Sequence, residues 1–258
     1  MIDTHCHVLP YLDDGARDWE TALEMARAAV EQGITQCVTT PHWTGIEGEV
    51  ENANARRDEL RERLAQEGLS LKLHAGNEVI LIPRLVEALK EGSAQTLAGS
   101  NYVLLETAQL EQGAYSLNAL FQLQSNGYRV ILAHPERVTR WQESLSEPRT
   151  LLERGCFLQV NAASLLGGFG PKAKKTAEAL LRNRWVSLLA TDAHSSQSRP
   201  PLLAPALARC EELIGAEAAR SLVQDNPARI LCNEMLPYVN MDEPERRSFL
   251  SFPWFKRR

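Results

Sequence analysis

Short runs of apolar residues alternate with longer amphipathic stretches along most of the chain. Seven apolar runs have the length and composition of buried strands, and they cover residues 1–8, 34–40, 69–75, 102–106, 129–133, 156–161 and 186–191. The clearest amphipathic stretch is 18–32, which Asp18 opens as a potential N-cap and Gly33 follows. The other predicted helices are 52–67, 83–91, 115–126, 147–154, 171–183, 202–214 and 217–224, with a further helical turn at 226–231.

This alternation predicts an α/β fold made of βα units around a parallel sheet. Seven units in 258 residues are one short of the eight-stranded (β/α) barrel, which is also about 250 residues long. A TIM-like barrel of seven or eight strands is therefore the first interpretation, and an open doubly wound sheet is the second. No glycine-rich loop of the dinucleotide-binding type follows any predicted strand, which weakens the second interpretation.

Composition and charge narrow the function classes. The hydrophobic content of 44% and the charged content of 24% are ordinary for a globular protein. A net charge of −5 argues against nucleic acid or an anionic membrane as the main partner. The five cysteines include no Cys-x-x-Cys pair, so we expect a reducing, cytoplasmic location, and nothing before His5 looks like a signal peptide or a transmembrane segment. No cysteine begins a Cys-x₅-Arg motif, which disfavours a thiolate-based phosphatase.

Histidines and carboxylates follow the predicted strands at their carboxyl ends. His5 and His7 end the first strand, and residues two apart in a strand point to the same side. In a parallel barrel the carboxyl ends of all strands lie on one face, so such residues would meet in one basin. The others are Asp13, Asp14, His42, Glu78, Glu106, His134, Asp192 and His194, while the sixth strand offers only Asn161.

A metal centre explains the set better than separate roles do. A single histidine at a strand end is usually a surface or hydrogen-bonded residue, and a single carboxylate there is often a helix N-cap. Packed together without cations, these groups would repel one another or lose solvation at a cost of several kcal/mol, which bound metal removes. His74 lies inside the third strand, and we expect it to be a wall or surface residue.

The same residues form a family pattern. The matching stretches are Met1 to His7 with Leu9-Pro10, Asp13-Asp14-Gly15, Thr40-Pro41-His42, Gly76-Asn77-Glu78, Leu105-Glu106, Ala133-His134-Pro135-Glu136-Arg137, Thr191-Asp192-Ala193-His194, Arg199-Pro200-Pro201 and Asn226-Pro227. On these residues the sequence resembles the polymerase and histidinol phosphatase (PHP) superfamily, in particular the bacterial manganese-dependent protein-tyrosine phosphatases of capsule and exopolysaccharide gene clusters. The likeness extends to residue 232, so we expect a single domain at 1–237 and a C-terminal tail at 238–258.

The resemblance implies a distorted seven-stranded βα barrel that holds three metal ions. Mn²⁺ is the first choice, and Fe²⁺ or Zn²⁺ are alternatives. The implied ligand sets are His5, His7, Glu78 and Asp192 for one ion, Glu78, Glu106 and His134 for a second, and Asp14, His42 and His194 for a third. Asp13 is the less similar member of the adjacent carboxylate pair. Val138 and the loop around Trp43 and Glu47 depart from the family pattern, which leaves substrate preference open.

The predicted reaction is hydrolysis of a phosphoric monoester on protein tyrosine. Clustered metal ions activate water for attack on phosphorus, and the planar guanidinium groups of Arg137 and Arg199 would hold the phosphoryl oxygens. A phenolate leaving group, with a parent pKa of ~10, needs little proton assistance. Asp13 and His194 are the side chains considered for that assistance. The resemblance implies a bacterial tyrosine kinase that regulates capsule synthesis as substrate and partner.

Other functions stay open at this point. A small-molecule phosphatase would act on histidinol phosphate or a sugar phosphate. An amidohydrolase-like enzyme would cleave C–N or ester bonds, although that group usually has a bridging lysine on strand four where this chain has Glu106. A non-catalytic metal-binding scaffold is the third alternative. Residues 241–258 mix aromatic and cationic side chains and are either a packed terminus or a contact with a partner or membrane surface. The sequence does not decide the oligomeric state, and a homo-oligomer is open.

Overall fold

The computed structural model describes residues 1–107, 110 and 114–239. Within these residues, the strands are β1 (Ile2–Cys6), β2 (Gln36–Thr39), β3 (His42–Trp43), β4 (Lys72–Ala75), β5 (Glu78–Val79), β6 (Tyr102–Leu105), β7 (Arg129–Ala133), β8 (Phe157–Asn161) and β9 (Leu188–Ala190). The helices are α1 (Trp19–Glu31), α2 (Glu49–Gln66), α3 (Leu85–Glu91), α4 (Ala114–Ser125), α5 (Thr139–Glu143), α6 (Ser146–Glu153), α7 (Ala162–Leu166), α8 (Gly170–Arg182), α9 (Leu203–Ile214), α10 (Ala216–Val223) and α11 (Asp225–Leu231).

The strands form two sheets. One has the order β1-β2-β4 and the other the order β3-β5-β6-β7-β8-β9, and every strand pair in the described residues is parallel. Beyond the sheets, Cys6 at the end of β1 forms an isolated parallel bridge with Ala193, just after β9. The predicted parallel α/β fold is confirmed, whereas the closed seven-stranded barrel stays a prediction.

Two short strands that the sequence did not predict follow predicted ones, β3 after 34–40 and β5 after 69–75. Residues 40–41 separate β2 from β3, and residues 76–77 separate β4 from β5, so the chain passes from one sheet to the other within two residues at each break. At the second break a side chain on Gly76 would come within 2.8 Å of Val38, so the close approach of the two strands requires glycine. The sequence pattern did not predict these breaks, nor the short helices α5 and α7.

The helices pack on the sheets through their apolar faces. In α1, Asp18 accepts a hydrogen bond from the amide of Thr21 at 2.8 Å and so caps the helix, as predicted. In α2, a mostly charged helix, Val50, Leu60 and Leu64 are buried. No helix in the described part of the chain is both long enough and apolar enough to cross a membrane.

An inner apolar cluster lies below the strand ends that carry the polar residues. Its members include Tyr102, Leu104, Ile131, Phe157 and Leu188, all buried. Alternate residues of a strand point to the same side, so the face of β8 that carries Phe157 in this cluster also carries the polar residues nearer its carboxyl end. The apolar cluster thus supports the polar site from beneath.

The end of the described chain packs onto this cluster. The hydroxyl of Tyr102 donates to the carbonyl of Glu234 at 2.9 Å and accepts from the amide of Leu236 at 2.7 Å. The ring of Tyr238 stacks on Phe157. Residues 240–258 lie outside the described residues, and with them nearly all of the predicted tail, including 241–258.

Candidate metal centre

His5 lies in β1 and His7 follows it, and their imidazole rings face each other. The Nε2 atoms of His5 and His7 are 3.0 Å apart, and both side chains are buried. Their other ring nitrogens are engaged, because His5 Nδ1 lies 2.8 Å from the side-chain oxygen of Gln159 and His7 Nδ1 lies 2.7 Å from Asp13. Histidines whose outer nitrogens are fixed in this way direct the inner nitrogens at a metal.

The carboxylate of Glu78 lies at the centre of the imidazoles. Its Oε1 is 2.9 Å from His134 Nε2. Its Oε2 is 3.1 Å from His42 Nδ1, 3.3 Å from His5 Nε2 and 3.4 Å from His7 Nε2. Burial would raise the pKa of Glu78, but the charges and hydrogen bonds of the histidines outweigh it and hold the pKa well below the usual range. The group is therefore an ionised carboxylate in a dry environment.

Asp192 joins the same group from the other side. Its Oδ1 is 3.4 Å from His5 Nε2 and 3.5 Å from His7 Nε2. Burial would raise its pKa, yet the nearby histidines lower it. The backbone of Asp192 has φ of 50° and that of His134 has φ of 36°, in the left-handed region that residues other than glycine adopt infrequently. Such strain is concentrated at functional sites, where the surrounding structure maintains it.

The remaining predicted ligands stand at the rim. Asp14 Oδ1 lies 3.4 Å from His42 Nε2 and 3.2 Å from His194 Nε2. Glu106 Oε2 lies 3.8 Å from His134 Nε2. The structure therefore brings all nine predicted ligands together, in overlapping groups whose donor atoms lie within 4.8 Å of one another. Metal binding by these groups stays a prediction.

The donor arrangement fits bound cations. Metal bonds to nitrogen and oxygen are about 2.0–2.2 Å long, so neighbouring ligand atoms stand about 3 Å apart, as the imidazole and carboxylate atoms do here. Glu78 Oε2 is buried and makes no well-aligned hydrogen bond with the described residues. A buried carboxylate oxygen of this kind is costly unless a cation satisfies it. Imidazole and carboxylate donors together suit Mn²⁺, Fe²⁺ or Zn²⁺ better than Mg²⁺.

The histidines of the site differ in how tightly they hold a proton. Burial would lower the pKa of His7, but hydrogen bonds and charge from Asp13 and Glu78 raise it to about 10. His134 responds in the same way, and contact with Glu78 raises its pKa to about 9. His194 differs, because burial and the charge of His7 lower its pKa to about 4. A metal ion would therefore compete with protons on His7 and His134.

Asp13 lies behind His7 and not at the centre of the site. Burial would raise its pKa, but its contact with His7 and amide hydrogen bonds from His42 and Gly15 lower it to about 2. A carboxylate this acidic does not serve as a proton donor near neutral pH, so the geometry favours an orienting role over the predicted one. The turn requires Gly15, because a side chain there would collide with the backbone of His7.

The two predicted arginines converge on one carboxylate oxygen. Arg137 Nη1 lies 3.2 Å and Arg199 Nη2 lies 2.6 Å from Asp192 Oδ2. Glu136, the neighbour of Arg137 in the sequence, is buried and accepts a hydrogen bond from the backbone amide of Asn161 at 3.1 Å. Both guanidinium groups therefore stand at the edge of the candidate metal centre.

Sequence reasoning missed the side chains that support the ligands. On β8, Gln159 contacts His5 and donates to Asn161 at 2.8 Å, and Asn161 donates to Asp192 Oδ2 at 2.5 Å. Asp3 accepts hydrogen bonds from the amide and the hydroxyl of Thr191, which ties β1 to the segment after β9. The available signal was polar residues at a period of two within an otherwise apolar, buried strand.

The chain matches the family model described as "Capsular polysaccharide synthesis, CpsB/CapC" over residues 1–232. Among curated proteins it is 32% identical over 249 residues to the tyrosine-protein phosphatase YwqE of Bacillus subtilis, covering 96% of this chain and 97% of that protein. It is 27% identical to the tyrosine-protein phosphatase CpsB of Streptococcus pneumoniae, over 92% of this chain and all of that protein.

Two solved structures that superpose on this chain differ in how similar their sequences are to it. A structure from work on YwqE of Bacillus subtilis and CpsB of Streptococcus pneumoniae, described as unique metal-dependent tyrosine phosphatases, superposes with a TM-score of 0.87 at 31% identity, over 96% of this chain and all of that one. A β-aspartyl dipeptidase of Fervidobacterium islandicum superposes with a TM-score of 0.58 at 15% identity, over 94% of this chain and 76% of that one. The second match shows a shared fold alone.

Proposed function

Because the chain belongs to the capsular polysaccharide synthesis CpsB/CapC family, we propose that it is a metal-dependent protein-tyrosine phosphatase. The observation that carries the proposal is the buried carboxylate of Glu78. Its oxygens are surrounded by imidazoles, and its Oε2 lacks a well-aligned hydrogen bond within the described part of the chain. The relatives named above are tyrosine phosphatases, and the matching structure is described as metal-dependent. Both similarities support the proposal.

The proposed ligand sets are those that the family resemblance implies, and they overlap with the groups described above. Three ions, with Mn²⁺ first, would be held by His5, His7, Glu78 and Asp192, by Glu78, Glu106 and His134, and by Asp14, His42 and His194. Bound ions would supply Lewis acidity and lower the pKa of water for attack on phosphorus. Gln159 and Asp13 keep the rings of His5 and His7 turned inward.

The substrate phosphate would be held by the arginines. Arg137 and Arg199 present planar forks that match phosphoryl oxygens, and both stand beside Asp192. A tyrosine leaving group departs as a phenolate with a parent pKa of ~10 and needs little proton assistance. His194, with its pKa lowered to about 4, is neutral at pH 7 and therefore does not supply a proton to the leaving group at that pH. A side chain acting as general acid is thus not required by this proposal.

A protein substrate agrees with the surroundings of the site. A cavity of about 210 Å³ adjoins His194 and is lined by Arg17, Thr21, Glu24 and residues 195–198. Its polar walls leave room for peptide groups next to a phosphotyrosine. We propose a tyrosine kinase of capsule synthesis as the substrate; the family description supports the link to capsular polysaccharide synthesis, and the kinase is what the resemblance implies.

We also infer the finer architecture and location. The two-residue breaks at 40–41 and 76–77 and the bridge between Cys6 and Ala193 support one continuous, distorted seven-stranded barrel. Residues 1–237 would form the phosphatase domain. All five cysteines are unpaired, which supports a cytoplasmic location.

Purified protein tests the function directly. We expect hydrolysis of p-nitrophenyl phosphate and of a phosphotyrosine peptide with added Mn²⁺, and loss of both with a chelator. Faster turnover of histidinol phosphate than of the peptide would favour a small-molecule phosphatase. Cleavage of amides without cleavage of phosphate esters would overturn the proposal.

A further inference from the structure

An aromatic side chain contacts both arginines at the edge of the site. The guanidinium carbon of Arg137 lies 4.5 Å from the ring centroid of Phe169, and that of Arg199 lies 5.4 Å from the same centroid. Both distances are within the range of about 6 Å over which a cation is attracted to the face of a ring. The two cations come from residues 62 positions apart in the sequence, yet they share one ring and one carboxylate oxygen, Asp192 Oδ2.

The backbone around Phe169 is shaped to deliver this ring. Phe169 lies in the turn between α7 and α8, with Gly167 at φ of 95° and Gly170 at φ of 86°. A side chain on Gly168 would come within 3.2 Å of the carbonyl of Ala163. Glycines on both sides therefore let the turn fold tightly, and the half-buried ring is presented to the site at the end of β8, the strand that supplies no predicted ligand.

We propose that Phe169 is a positioning residue that holds the guanidinium groups of Arg137 and Arg199 in the arrangement that receives the substrate phosphate. Arginine side chains are long and lose rotamer freedom when they are fixed. The two cations also repel each other, and the negative face of an aromatic ring offsets this repulsion. Fixing both groups before the phosphate arrives lowers the entropy lost on binding. The inference rests on the proposed function, in which both arginines bind phosphate.

The central test replaces the ring by an aliphatic side chain of similar size. In the Mn²⁺-loaded protein, Phe169→Leu should raise the KM for p-nitrophenyl phosphate and the Kd for inorganic phosphate, measured by calorimetry, about tenfold, which corresponds to about 1.4 kcal/mol. The kcat should stay within about twofold, because the ring does not touch the reacting atoms. Phe169→Tyr should restore the parent values. Phe121→Leu, on an exposed ring of α4, is the matched control and should change neither constant.

A double-mutant cycle separates positioning from a general structural effect. In protein carrying Arg137→Ala and Arg199→Ala, Phe169→Leu should alter the Kd for inorganic phosphate less than twofold. A full tenfold effect in that background, or an unchanged Kd in Phe169→Leu alone, would overturn the proposal. If Phe169→Leu lowers the Tm below the working temperature, Phe169→Met takes its place in the cycle. If the arginine variants themselves bind phosphate as the parent does, the phosphate assignment in the proposed function is wrong.

Discussion

Strands β1 and β8 contribute to the site in opposite ways. β1 and the residue after it supply His5 and His7, which meet at 3.0 Å over the predicted metal position. β8 supplies none of the predicted ligands, yet its Gln159 contacts His5 and its Asn161 contacts Asp192. One strand carries donor atoms and the other holds donor atoms in place. The comparison teaches that the absence of a metal-binding residue at a strand end does not separate that strand from the chemistry.

The largest expected effect comes from the donor strand. His7→Ala removes an imidazole whose Nε2 lies near both Glu78 and Asp192, so we expect phosphatase activity to fall about a thousandfold or more and bound Mn²⁺ to decrease. Activity assays and metal analysis of the purified variant measure this. The control is His74→Ala, because His74 lies on β4 and belongs to none of the candidate ligand groups among the described residues. Parent-like turnover of His7→Ala would show that β1 is not a donor strand.

The next effect is a change of pH dependence when metal binds, and it concerns His7 after β1 and His134 after β7. In metal-free protein the pKa of His7 is about 10 and that of His134 is about 9, against about 6.5 when unfolded. This stabilisation is fully present below pH 6.5 and is lost as the pH rises through 9 to 10. Metal requires neutral histidines, so in Mn²⁺-loaded protein this loss should be absent and stability should stay nearly constant over the same range.

Urea unfolding at pH 6 and pH 9.5, with chelator or with Mn²⁺, measures both slopes. The side-chain amides of Gln159 and Asn161 do not titrate, so substitution on β8 should leave the pH dependence of stability unchanged in both forms. Parallel pH slopes with and without metal would contradict the assignment of His7 and His134 as ligands.

A smaller effect is expected on the holding strand. Gln159→Leu keeps the side-chain volume but removes the partner of His5 Nδ1. Loss of such a supporting hydrogen bond costs about 10–100-fold in metal affinity or activity. We expect excess Mn²⁺ to recover most of the activity, which an activity titration against Mn²⁺ would show. Gln142→Leu, whose side chain contacts only the carbonyl of Glu136 among the hydrogen bonds described here, is a control. Loss that excess metal does not relieve would make Gln159 more than a support.

The smallest effect is expected at Cys6, which lies between the predicted ligands His5 and His7. Cys6 is buried, and contact with Cys37 together with burial raises the pKa of its thiol well above the ordinary value. A neutral thiol is a poor nucleophile, so Cys6→Ser should change kcat by less than about threefold. Cys210→Ser, in the buried face of α9, controls for the loss of a buried thiol. A collapse of activity in Cys6→Ser, with metal content and folding intact, would indicate cysteine chemistry.

The contrast between the two strands also explains what the sequence could predict. Predicted ligands such as His134 and Asp192 follow apolar runs of the sequence directly, so their strand-end position is readable, and the structure brings all nine together. All seven predicted strands are present, because six are short, largely buried runs and the third mixes buried and exposed residues. The parallel arrangement follows from the same alternation.

The misses have physical reasons. The breaks at 40–41 and 76–77 depend on contacts between strands, such as that between Gly76 and Val38, which no local pattern encodes. The family resemblance already grouped Asp14 with His42 and His194, but only the folded turn shows that Asp13 contacts His7. Phe169 lies in a glycine-rich turn without periodicity, and its partners are distant in sequence.

The bridge between Cys6 and Ala193 and the hydrogen bonds between Asp3 and Thr191 join the beginning of the chain to a segment that is synthesised much later. Chains emerge from the ribosome amino end first, so the imidazoles of His5 and His7 are made long before Asp192, their partner across this seam. We therefore expect nascent chains that stop short of residue 192 to capture manganese poorly, and the catalytic basin to be completed only at a late step of synthesis.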